Sequence, residues 1–301
     1  MKKFIFFICL SVCAANLIAQ QTPLYSLFAY NKFVINPAYA GVDDYFQAYA
    51  NSRYQFVGIE NAPVTTSLSL YGPHNNLPMG LGGLVYNDSQ GALSKFAVYG
   101  AYSYSINITR TLELSFGLLG GFMQHTVDLT KVTFLQNEYN FDEQVYNSIK
   151  PDATFALYVH DKDLYAGISF EQLFGNKIQV VHDSLFIKNE TQNKLNSHIS
   201  VLGGYTYSLS NEVTVEPHAI VRKTARTPMQ IEAGAHISYN SIAWLGFHVR
   251  TGGACVMYMA YNYRNIVQFG YSYDLTYSAL RKDTFGSHEI VLGLRFSQNI
   301  E

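Results

Sequence analysis

Polar and apolar residues alternate with a period of two along most of the chain. In LELSFGLL, Leu112, Leu114, Phe116 and Leu118 share one face, and Glu113, Ser115 and Gly117 share the other. The same period sets Leu164, Ala166, Ile168 and Phe170 against Gly167, Ser169 and Glu171, and Met229, Ile231, Ala233, Ala235 and Ile237 against Gln230, Glu232, Gly234 and His236. The pattern predicts an all-β chain of about fourteen strands, each ~9–12 residues long. They fall near 45–57, 64–72, 79–88, 93–106, 110–124, 151–160, 162–173, 195–209, 212–223, 227–239, 241–251, 253–263, 265–276 and 287–297.

Alternation alone serves a soluble sandwich as well as a membrane barrel. Three features favour a transmembrane antiparallel β-barrel. Tyrosines gather toward strand ends (YSYSI, YTYSL, MAYNYR, YSYDLTY), as an aromatic girdle requires; the opposite faces are small and Gly-rich, as a barrel interior allows; and the strands are many and even in number. Connection lengths agree. With the start of the mature chain in the periplasm, the long gaps near 125–150, 174–194 and 276–286 all fall outside, and the tight links at 161–163, 210–211, 240–241 and 264–265 fall on the periplasmic side. HEIVLGLRF turns Ile290, Leu292, Leu294 and Phe296 outward and reads as the closing strand.

The first residues break the pattern. MKKFIFFICLSVCAANLIAQ carries Lys2 and Lys3, an apolar run from Phe4 to Cys13 and small residues before a cut after Ala19, the three parts of a secretory leader. A lipoprotein reading at Cys13 is disfavoured, because Val12 precedes it and the apolar run would be cut short. Beyond the leader no window reaches the ~20 apolar residues that a spanning helix needs, so a membrane protein of this sequence must be a closed barrel. Between leader and barrel, Leu24, Leu27 and Phe28 follow helical spacing and Phe33, Val34 and Ile35 are consecutive, so this stretch is not a membrane strand. Asn36-Pro37 favours a turn, and Gly41 can absorb an unusual backbone angle. Two readings stand: a packed turn that starts the barrel, or, the preferred one, a non-strand segment at or in the periplasmic mouth that plugs the lumen or faces a partner. The division is leader 1–19, N-terminal segment 20–44, barrel 45–297 and tail 298–301.

Composition narrows function. Of 301 residues only 14% are charged and 15% aromatic, with 24 Tyr and 20 Phe against one Trp, and the mean hydropathy is +0.00. A net charge of −2 without a basic cluster argues against nucleic acid as a partner. Cys9 and Cys13 lie in the leader and only Cys255 follows, so neither an intrachain disulfide nor a CxxC metal site is available. Neither GxxxxGK[ST], GxSxG nor HExxH occurs, and GLGGL and GLLGG lie inside alternating strands as packing positions. Nine histidines are spread singly. His160-Asp161 and His182-Asp183 are adjacent pairs that would point to opposite faces of a strand and read as solvated loop pairs. No catalytic, cofactor or metal residues are assigned, and the chain is not read as an enzyme. Inward-facing Glu113, Glu171, Glu216, Glu232, Arg250, Asp274 and Arg295 either line a channel or pair across a filled lumen; their mixed signs favour pairing over an ion-selecting ring.

The run Pro23, Tyr25, Ser26, Phe28, Asn31 and Asn36-Pro37-Ala38-Tyr39-Ala40-Gly41 resembles the N-terminal signature of the PorP/SprF family of outer-membrane proteins of the type IX secretion system of Bacteroidota. RYQFVGIENAPVT is similar to a second family segment through Arg53, Gln55, Gly58, Ala62, Pro63 and Thr65, with Phe56 and Asn61 replacing the usual Trp and Gly. GLGGLVYNDSQG matches through Gly80, Leu81, Gly82, Asn87, Asp88 and Gly91, and GYSYD and GSHEI add Asp274, His288 and Glu289. Thr22 and Leu27 depart from the usual Asp and Gln. The resemblance implies an outer-membrane component of protein export, in some species serving gliding motility, with lipid, ring or peptidoglycan-binding components and the C-terminal sorting domain of a secreted adhesin as partners. It implies no catalytic residue. Pro23, Tyr25, Phe28, Asn31, Asn36, Pro37, Tyr39 and Gly41 are the candidate plug or partner residues; Arg53, Gln55, Pro63, Asn87, Asp88, Asp274, His288 and Glu289 are motif residues without an assigned role. The alternative function is an uptake channel for a hydrophobic or small solute.

Overall fold

A computed structural model describes residues 22–131, 145–175, 196–225 and 227–296 of the protein. The expected leader, the His182-Asp183 pair and the tail 298–301 lie outside the described residues. Fourteen antiparallel strands form a closed barrel: β1 (Phe46–Tyr54), β2 (Val64–Pro73), β3 (Met79–Gln90), β4 (Leu93–Asn107), β5 (Glu113–Asp128), β6 (Val145–His160), β7 (Leu164–Glu171), β8 (His198–Tyr205), β9 (Val213–Thr224), β10 (Gln230–Tyr239), β11 (Ala243–Arg250), β12 (Ala254–Tyr263), β13 (Val267–Thr276) and β14 (Ser287–Phe296). β8 breaks at Thr206, whose N–H donates to the Asp163 carbonyl at 2.7 Å, and its ladder resumes at Tyr207–Ser208. Each strand pairs with its neighbours in sequence, and β1 pairs with β14 from Phe46↔Phe296 to Tyr54↔His288, which closes the wall and removes both edges.

Two boundaries differ from those the sequence suggested. β5 runs on to Asp128 and β6 begins at Val145, with Pro151 paired opposite Phe122 inside the ladder instead of starting it. The two strands rise as one long hairpin, and its pairing on both sides of Pro151 overrides that residue's tendency to end a strand. At the opposite mouth the links are tight. Asn240, Ser241, Arg264 and Asn265 all take positive φ (50–57°), the conformation at both central residues of type I′ turns, whose twist matches the flanking strands. At 161–163 the Asp161 carboxylate accepts from the N–H groups of Asp163 and Leu164 at 2.8 and 2.7 Å, which hold it below the usual carboxylate range.

The outer face is apolar. Leu70, Leu81, Leu118, Phe122, Leu245 and Leu292 are among its exposed side chains. Near the short-turn mouth Tyr102, Tyr104, Tyr207, Tyr239, Tyr261 and Tyr263 are exposed and form an aromatic girdle. The inner face is not uniformly small: Tyr49, Tyr71, Tyr86, Tyr99, Tyr158, Tyr165 and Tyr258 point inward and are buried. They are buried because the lumen is occupied by the protein's own N-terminal segment.

Candidate functional site

The segment starts at the long-loop mouth, where Thr22 Oγ1 lies 3.5 Å from Nδ1 of His198 at the head of β8, and runs down the lumen to β1 at the short-turn mouth. It therefore sits in the expected mouth but also fills the barrel above it. Its path is a chain of short turns. Two single 3₁₀ turns, Lys32–Val34 and Pro37–Tyr39, follow each other; Asn36 is extended and caps the second, its Oδ1 accepting from the Ala38 N–H at 3.0 Å, with Pro37 in the first helical position, where no N–H is needed.

Apolar side chains supply much of the grip. Leu27, Phe28 and Phe33 are each 2% exposed, and burying such a side chain contributes about 1.5–3 kcal/mol. Phe33 stacks on Tyr71 with ring centres 4.4 Å apart, and Tyr25 packs in the same buried half with Phe28. The glycine-rich strands receive the segment's backbone: a Cβ at Gly117 would collide with Ala38, and one at Gly80 with the Ala40 carbonyl. Gly41, at φ +82°, turns the chain beside Gly80 toward β1.

Backbone polar groups inside a closed lumen need partners, and the wall supplies them. Asn36 Nδ2 donates to the Leu157 carbonyl at 2.9 Å, Ser169 Oγ donates to the Ile35 carbonyl at 2.8 Å, and Ser103 Oγ donates to the Ala40 carbonyl. Asn31 Nδ2 donates to Ser69 Oγ at 3.2 Å. At the lower mouth Tyr39 and Gln47 both donate to Asp43 Oδ2, at 2.9 and 2.6 Å. Burial pushes the adjoining Tyr45 phenol up to about 12, and the Arg295 guanidinium lies 4.9 Å from its ring.

The strongest tie is ionic and buried. Ser26 Oγ accepts from Arg53 Nη1 and Arg250 Nη2, both at 2.8 Å, and donates to Asp274 Oδ2 at 2.8 Å. Glu289 accepts from the N–H groups of Ser26 and Leu27 at 2.7 and 3.3 Å and from Asn51 Nδ2 at 2.7 Å. Arg53 bridges Asp274 (2.8 Å) and Glu289 (3.2 Å), and Arg250 bridges Asp274 (2.8 Å) and Glu232 (2.9 Å), which also pairs with Arg222. Six strands and the segment thus meet in one charge network whose signs alternate, the pairing expected of a filled lumen.

A sequence model of the family described as "Type IX secretion system membrane protein PorP/SprF" matches residues 17–294. The chain belongs to the PorP/SprF family. Among solved structures, the CymD monoaromatic hydrocarbon channel is similar with a TM-score of 0.51 at 12% identity, covering 92% of this chain and 94% of that one. A Pseudomonas aeruginosa FadL homologue (TM-score 0.49, 10% identity, 91% and 94% covered) and the Pseudomonas putida toluene transporter TodX (0.49, 9%, 95% and 96%) are also similar. At such identities the likeness is one of fold, and it is the first of these that carries it. No curated protein matches the sequence. Family and barrel together support an outer-membrane location for this PorP/SprF chain.

Of the PorP/SprF motif residues, Arg53, Asp274 and Glu289 converge on Ser26. Asp88 accepts from Thr65 at 2.7 Å and faces Lys95 at 3.9 Å, apart from that network. The Gln55 N–H donates to the Pro63 carbonyl at 2.9 Å and closes the loop from β1 to β2. Asn87 and His288 stay off the segment: Asn87 is exposed, and His288 Nδ1 pairs with the Tyr271 hydroxyl at 2.8 Å. Pro23 lines a residual cavity of about 60 Å³ with Tyr25, Tyr86 and Tyr99. His160 faces Glu113 at 3.8 Å. The singly spaced histidines do not stay single: β9, β10 and β11 bring His218, His236 and His248 together in the PorP/SprF lumen, with the ring centre of His218 5.6 Å from that of His236 and 6.2 Å from that of His248. Linear spacing hides this, and only the register of adjacent strands could reveal it.

Proposed function

We propose that this chain serves type IX secretion as a non-enzymatic, plugged barrel reached by Sec-dependent export. Its use lies in its mouths, not in a conduit: it anchors periplasmic ring or peptidoglycan-binding components, or receives the C-terminal sorting domain of a secreted adhesin, with gliding motility depending on it in species that glide. The observation that carries this reading is the lumen filled from one mouth to the other by a segment bonded to the wall. An uptake channel would need that segment to leave, against the buried network around Ser26.

Deletion of the gene should abolish or sharply reduce export of type IX substrates; secretion of every substrate at the wild-type level would overturn the proposal. A pull-down from detergent-solubilised outer membrane, read by mass spectrometry, separates its two versions. Ring components mark an anchor, and one large adhesin marks a cargo receiver.

A further inference from the structure

Glu216 and His218 stand two residues apart on β9 and face the same way, into the lumen. β10 sets His236 directly opposite Glu216. One carboxylate oxygen of Glu216 and one ring nitrogen from each histidine lie within 4.8 Å of one another. Glu216 Oε1 accepts from the Tyr165 hydroxyl at 2.7 Å and Oε2 from Thr206 Oγ1 at 3.3 Å, and a ring nitrogen of each histidine lies near the same carboxylate. His218 Nδ1 is 3.2 Å from the Glu216 carbonyl, an atom that only accepts, so the ring proton sits on Nδ1 and the lone pair on Nε2. His218 is 4% exposed, and its Nε2 has no hydrogen-bond partner.

His236 Nε2 stands 3.9 Å from Glu216 Oε2, beyond hydrogen-bond reach. Its Nδ1 lies 3.2 Å from the Tyr258 hydroxyl, an oxygen that can accept from Nδ1–H and leave the Nε2 lone pair turned to Glu216. Each imidazole is thus held through one nitrogen by an oxygen while the other is free, the arrangement that orients histidine ligands on a metal. Two ligands each ~2.1 Å from a tetrahedral ion stand ~3.4 Å apart, so the 3.9 Å gap, and the 4.8 Å within which all three atoms lie, require side-chain rotation to draw the ligands together on an ion. Two imidazoles with one carboxylate suit a zinc-class ion; calcium and magnesium demand more oxygen ligands. The His236 and Glu216 side chains keep 11% and 12% exposure near the short-turn mouth, which gives an ion a way in.

We propose that Glu216, His218 and His236 form a lumenal site for a zinc-class divalent cation, with a fourth position open to water. Lys32 of the N-terminal segment faces the other carboxylate oxygen, Oε1, at 3.8 Å, beside the Tyr165 hydroxyl that donates to it at 2.7 Å, and lies 3.7 Å from the centre of the Tyr165 ring. Its ammonium and the ion draw on the same carboxylate charge, so loading the site loosens the segment's hold at Lys32.

The test uses the full-length protein without a histidine tag, purified in detergent and stripped with a chelator. Titration with Co²⁺ should give one equivalent bound with the visible absorption of a four-coordinate site, displaced mole for mole by Zn²⁺. His218→Gln and His236→Gln should each weaken binding about tenfold or more, and Tyr258→Phe should weaken it about tenfold through the orienting hydrogen bond. Lys32→Met, which leaves the wall intact, should tighten binding about three- to tenfold by removing a competing charge. Heat-modifiable gel mobility reports whether each variant is a folded barrel. Absence of saturable Co²⁺ binding to the wild type overturns the proposal. So does binding retained by the folded double histidine variant, or an affinity unmoved by Lys32→Met.

Discussion

At the scale of single residues, Ser26 depends on one hydroxyl that accepts from two guanidiniums and donates to a carboxylate. Ser26→Ala leaves those donors short of a partner in a buried site and should cost about 1–3 kcal/mol, read as a lower temperature at which the barrel loses its compact mobility on a gel. Arg53→Ala should cost more, about 3–5 kcal/mol in urea unfolding, because Asp274 and Glu289 would each lose a buried counter-charge. Gly117→Val tests the segment from the wall's side. Its side chain would occupy the place of the Ala38 backbone, so the barrel should fold with the segment displaced, and protease should then cut within 22–41, where the wild type resists.

At the scale of elements, the strands were legible because a lipid-facing wall enforces strict alternation, and Leu118 and Phe122 declare their face without any tertiary knowledge. The hairpin of β5 and β6 was less so, since pairing carried it past Pro151. The route of the N-terminal segment was legible only in part: its failure to alternate marked it as something other than a strand, but its depth is fixed by wall glycines and by Ser26 meeting residues more than two hundred positions away. The inward tyrosines were missed for the same reason, because nothing local says that the lumen is full. Without 22–41 the barrel should still assemble, held by its closed ladder, and should conduct ions in planar bilayers, while the intact protein should not. Failure to assemble would mean that the segment is part of the folding core.

At the scale of the whole molecule, the network around Ser26 lies on the seam. Arg53 belongs to the first strand and Glu289 to the last, and the ladder that closes the barrel sets them opposite each other. Glu289 also holds the backbone of Ser26 and Leu27. Joining the two ends of the wall therefore builds the pair on which the first residues of the chain are seated, so that seating depends on correct closure. A closure slipped by one residue would turn Arg53 or Glu289 toward lipid and leave its partner stranded inside. The segment is thus a gauge built into the chain, one that seats fully only when the last strand has found the right place beside the first.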